Sequence, residues 1–77
     1  MSRTSNHDLF SRGQAEIIQL LDEIEQTVSL AEAKSVARSS IAEYIRAAER
    51  TSYNYGSFCG AVDWLAAAEG LIQLQEA

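Results

Sequence analysis

The sequence predicts an all-α domain of three helices. Three observations predict it. Apolar residues recur at spacings of three, four and seven over three segments. Proline is absent and glycine occurs four times, too few breakers for an all-β domain with many turns. The chain has 77 residues, 47% hydrophobic, 8% aromatic and 22% charged, which suits one folded domain. Two variants of the class are a short helix packed on one long bent helix, and a dimeric helical bundle.

The first helix is expected over residues 8–28. Asn6 or Ser5 can cap it, and Asp8 suits the positive end of the helix dipole. Phe10, Ile17, Leu20, Leu21, Ile24 and Val28 share one face, with Gly13 among them and Ile18 off the stripe. A glycine there lowers helix propensity by about 1 kcal/mol relative to alanine and permits a close helix crossing.

Ser29-Leu30-Ala31-Glu32 reads as a capping box, in which Ser29 accepts from the Glu32 amide and Glu32 reaches back to Ser29. The second helix follows over residues 30–50. Its apolar face is Leu30, Ala33, Ala37, Ile41, Tyr44, Ile45 and Ala48. Residues 51–57 are rich in Ser, Thr, Asn and Gly and read as a boundary. The third helix is expected over residues 57–74. Against that boundary stands a seven-residue recurrence of Leu30, Ala37, Tyr44, Thr51, Phe58, Leu65 and Ile72, which would suit one continuous helix.

Charge is uneven along the chain. The formal total is −5. Residues 51–77 carry Asp63, Glu69 and Glu76 and no base. A polyanion would be repelled by most of this surface, since nucleic-acid affinity comes from neutralising phosphates. A basic protein surface is the better match. Cys59 is the only cysteine, so an intramolecular disulfide is excluded. Residues 1–7 lack the apolar core of a signal peptide, and the longest apolar run, Trp64 to Ala68, is far short of a membrane span. A cytoplasmic location is expected.

The third helix is apolar over nearly half its circumference, wider than packing on two short helices requires. Phe58, Ala61, Trp64, Leu65, Ala68, Leu71 and Ile72 are therefore the candidate partner or dimer interface, anchored by Trp64. The competing reading is that Trp64 closes the monomer's own core. Ser52, Gly56 and Gly60 form a small-residue row, read mainly as a turn at Gly56 and a packing glycine at Gly60. Glu16, Asp22, Glu23 and Glu25 form an acidic patch, and Lys34, Arg38, Arg46 and Arg50 a basic row on one helix edge. Tyr53, Tyr55, Phe58 and Trp64 lack the adjacent cations that base stacking needs and read as core or interface.

Catalytic candidates are thin. Cys59 and His7 are the one possible thiol–imidazole pair, and no third group is marked to orient the histidine. No phosphate-binding glycine loop or metal-ligand spacing is present in the sequence, so no cofactor is expected. The leading expectation is a small, acidic, non-catalytic interaction module that regulates or inhibits a larger protein or assembly. It would act as a homodimer or by docking an apolar helix face. Small acidic helical regulators of phages and plasmids offer an analogy of size and charge alone. The alternatives are a dimeric DNA-binding regulator using the basic row, and a subunit of a helical assembly.

Overall fold

The computed structural model describes residues 6–70. It contains α1 (Asn6–Thr27), α2 (Leu30–Arg46) and α3 (Ser52–Ala68). No strand occurs among the described residues. The three-helix, all-α expectation holds, and the single long bent helix does not. The chain ladders up α1, back down α2 and up α3, so α1 and α3 run parallel. Phe10 meets Gly56, Ile17 meets Gly60 and Asp22 meets Trp64 along that pair. Tyr44 meets Phe58 and Arg38 meets Glu69 along the antiparallel pair of α2 and α3.

Local chemistry sets each boundary. Ser29 is extended (φ −173°, ψ 160°) and its hydroxyl accepts from the Glu32 amide at 3.0 Å. The expected capping box is only half formed, because the Ser29 amide donates to the Ile24 carbonyl at 3.1 Å. α2 ends at Arg46, four residues before the sequence reading placed it. Ala47 turns extended, and Arg50 folds back to donate to the Ile45 carbonyl at 2.8 Å and the Tyr44 carbonyl at 3.4 Å. An arginine thereby satisfies carbonyls that the helix end leaves open. Thr51 then caps α3, its hydroxyl accepting from the Asn54 amide at 3.0 Å. Thus the break lies at residues 47–51 and residues 52–57 are helical, which corrects the expected start at Ser57. α3 stops before Gly70, whose φ of +76° suits glycine and whose amide donates to the Ala67 carbonyl at 3.1 Å. The expected extension to residue 74 lies outside the described residues.

The core is built from close approach rather than bulk. Its buried apolar members are Ile17, Leu21, Ala33, Ala37 and Ala61, with Trp64, Leu65, Val36, Ile41 and Ile18 packed around the central cluster. Gly13, Gly56 and Gly60 are buried between α1 and α3. A Cβ at Gly56 would land on the Phe10 carbonyl, and one at Gly13 on the Tyr53 carbonyl. At Gly60 it would sit 2.6 Å from Ile17 Cγ2 and 2.9 Å from the Gln14 carbonyl oxygen. Gly56 is therefore a packing residue in mid-helix and not a turn. Small residues here let two backbones touch, and dispersion between the helices takes the place of side-chain bulk.

α3 crosses α1 diagonally, meeting Gly13 near one end and Asp22 near the other. That drift explains two departures from the straight apolar stripe. Leu20 is 45% exposed, while Ile18, off the stripe, packs on the core; Val28, 68% exposed, lies just past the end of α1. On α2, Ile45 is 59% exposed because the helix ends one residue later.

Gly56→Ala is expected to lower the free energy of unfolding by about 1–3 kcal/mol despite its better helix propensity. Urea denaturation followed by circular dichroism checks this, and an unchanged or higher midpoint would show that the helices can part without penalty.

Candidate interaction surface

Most of the expected interface residues turn inward. Ala61 is fully buried, and Trp64 and Leu65 pack against the core cluster. The Trp64 indole Nε1 donates to Asp22 Oδ1 at 2.8 Å, which ties the ring to α1. Phe58 stacks on Tyr44 with centroids 4.6 Å apart and planes at 25°. Ala68 is half-buried beside a shallow hollow shared with Glu25, Leu30, Trp64 and Ala67. Leu71 and Ile72 lie outside the described residues. Trp64 thus closes the chain's own core, and the face centred on it is not a free docking surface.

The acidic patch is divided. Glu16 accepts a hydrogen bond from the Tyr53 hydroxyl, and Asp22 accepts from Trp64, so two of the four acids fasten α1 to α3. Glu23 and Glu25 are exposed at the far end of α1. The bond to the Glu16 carboxylate is the main reason the Tyr53 hydroxyl is held above its ordinary pKa of 10.0; partial burial and the charge of Glu16 add to it, and Arg12 opposes it.

The basic row is divided too. Lys34 and Arg38 pair with Glu69 at 3.7 and 2.8 Å. Arg50 lies beyond α2, over the Tyr44 ring at 5.1 Å. Arg46 is exposed in the last turn of α2. A continuous cationic ridge along one helix, as the row implied, is therefore absent from these four residues.

His7 is exposed in the first turn of α1, and Cys59 is half-buried in mid-α3 beside Tyr55. Hydrogen bonding with Cys59 leads the influences that raise the Tyr55 pKa. No group of three metal-ligating side chains occurs among the described residues.

The sequence reading placed Tyr55 in a core or interface cluster but did not separate the outer side of α3 from the sides that face α1 and α2. Gly56, Gly60 and Trp64 face α1, while Phe58, Leu65 and Glu69 face α2 and the core. By helical register Tyr55, Cys59, Val62 and Ala66 fall on the remaining side, with Ser52 and the exposed Asp63 at its edge. Tyr55 is 49% and Val62 38% exposed, and Cys59 and Ala66 are half-buried. The rings of Phe10, Tyr44 and Phe58 pack around Tyr55, with centroids 5.3, 6.2 and 6.4 Å away. A signal was present in the sequence. Asp63 is the lone charged residue in the seventeen of α3, so apolar residues spread well beyond one face of the helix.

Neither the sequence nor the fold finds a significant match among family models, curated proteins or solved structures.

Trp64→Phe keeps an aromatic side chain but deletes the bond to Asp22 and one ring of the indole that packs on the core; it is expected to reduce stability by about 1–3 kcal/mol, read from the urea midpoint. The Tyr53 link makes an alkaline prediction. Its folded-state pKa is raised, so its contribution is complete below pH 10.0 and is lost as pH climbs through the folded value. Tyr53→Phe is expected to flatten part of the fall in melting temperature above pH 10.0. Identical alkaline limbs for the two proteins would remove Tyr53 from that role.

Proposed function

We propose that this chain is a small, acidic, non-catalytic protein-interaction module that regulates or inhibits a larger protein or assembly. The observation that carries this reading is the outer side of α3. A helix whose apolar residues spread this widely is normally enclosed on most sides, yet α1 and α2 cover only two of them. Exposed Tyr55 and Val62 make that side the natural place for a contact, since aromatic and branched anchors dominate interface energetics. The docking face therefore moves from Trp64 to Tyr55 and Val62. Exposed Glu23 and Glu25 favour partners with basic surfaces.

A cytoplasmic setting fits this role. No described helix is long and apolar enough to cross a membrane. The DNA-binding alternative has weaker support, because Lys34 and Arg38 are set against Glu69 and Arg50 closes the end of α2.

A photo-crosslinking residue in place of Val62, in cells that express the chain, is expected to give one discrete adduct. The same residue at exposed Gln19 on α1 is expected to give none. No adduct at either position, or the same smear at both, would sink the reading.

A further inference from the structure

We propose that residues 71–77 turn back at Gly70 and seat Leu71, Ile72 and Leu74 over the hollow beside Trp64, so that a segment of this chain closes that end of its own core. The proposal goes beyond the interaction reading and does not depend on the outer side of α3.

The hollow is the first support. It has a volume of about 320 Å³ and is lined by Glu25 of α1, Leu30 of α2, and Trp64, Ala67 and Ala68 of α3. Four of these five residues are apolar, and their cover is thin. Leu30 is 40% exposed, Ala67 is exposed, and Trp64 and Ala68 are half-buried. Removing such surface from water is favourable.

Position is the second. α3 stops at Ala68, and Gly70 has a φ of +76° with its amide on the Ala67 carbonyl at 3.1 Å. A left-handed residue just past a helix turns the chain off the axis, and an apolar residue after it commonly packs back on the last turns. Ala67 and Ala68 of that end line the hollow, so residue 71 is only three positions from its edge.

Sequence is the third, and it selects the occupant. Leu71-Ile72-Gln73-Leu74-Gln75 holds three apolar residues and no charge, and Glu76 comes after it. Glu25 is the ionisable residue among those lining the hollow. The segment sets no carboxylate against it before position 76, and the Gln73 and Gln75 amides are donors that a carboxylate accepts. A tethered segment also acts at an effective concentration on the order of millimolar. That favours it over a second copy or another protein at micromolar concentration. Leu71 and Ile72, expected from the sequence at an outer interface, would then serve the chain's own core beside Trp64.

Paramagnetic broadening in NMR tests the proposal on the full chain. A nitroxide on Gln75→Cys, in a Cys59→Ser background, is expected to broaden the Glu25 and Leu30 amides more than that of Ala66. Ala66 is nearer in sequence but lies on the outer side of α3. Equal broadening, or broadening of Ala66 alone, would overturn the proposal. Nitroxide-labelled chain mixed with unlabelled, isotope-enriched chain is expected to leave Glu25 and Leu30 sharp. Their broadening in that mixture would give the hollow to a second copy's segment and overturn it too.

Trp64 is the only tryptophan and supplies a second readout. A chain shortened after Gly70 is expected to emit at longer wavelength and to be quenched more by acrylamide, with its helical circular dichroism intact. Unchanged emission and quenching would overturn the proposal. If the shortened chain loses its helices, the same comparison is made with the full-length Leu71→Ser, Leu74→Ser chain, for which the same shift is expected. None of these results depends on whether Val62 captures a partner.

Discussion

The close crossing of α1 and α3 is the constraint on which the structure depends. Gly13, Gly56 and Gly60 remove side chains where the two backbones meet, and carbonyls of Phe10, Gln14 and Tyr53 occupy the vacated space. Once that contact is made, the remaining geometry is nearly fixed. The Tyr53 hydroxyl reaches Glu16, and the Trp64 indole reaches Asp22. α2 needs only to lay Ala33 and Ala37 into the groove, where small side chains suffice because the two helices beneath are already close.

The same crossing decides which polar groups remain for outside contacts. Two acids that look solvated in the sequence, Glu16 and Asp22, serve as acceptors between helices, and of the four aligned bases Arg50 falls beyond the end of α2. Arg50 illustrates this economy of position. One guanidinium closes a helix terminus and covers the Tyr44 ring, whose other neighbours are Tyr55 and Phe58. The surface that survives these internal uses is the outer strip of α3, which neither periodicity nor charge counting singled out.

Much of the architecture was legible in the sequence. Ser29 announced its helix because an N-cap acts over three residues, and Ala33 and Ala37 fell on the buried face by spacing alone. The end of α2 was less legible, since it rests on side-chain bonds from Arg50 to carbonyls five and six residues back. Gly56 was misread because a glycine that breaks a helix and one that admits a neighbouring backbone look the same in sequence. Trp64 was placed on an outward face for a related reason. On a helix whose apolar residues spread this widely, periodicity does not choose a face; the diagonal path of α1 chooses it.

The order of the helices has a kinetic consequence. The two helices in closest contact are those furthest apart along the chain, with all of α2 between them. Phe10 and Gly56 must find each other across 46 positions before the glycine contacts form. Most helical bundles gain stability first between sequence neighbours and fold fast for that reason. In this chain the neighbouring pairs close over short turns but lack the tightest packing, and the decisive contact pays a larger loop entropy. Loop entropy then predicts that the meeting of the first and last helices limits the folding rate, with the middle helix as the tether that holds them within reach.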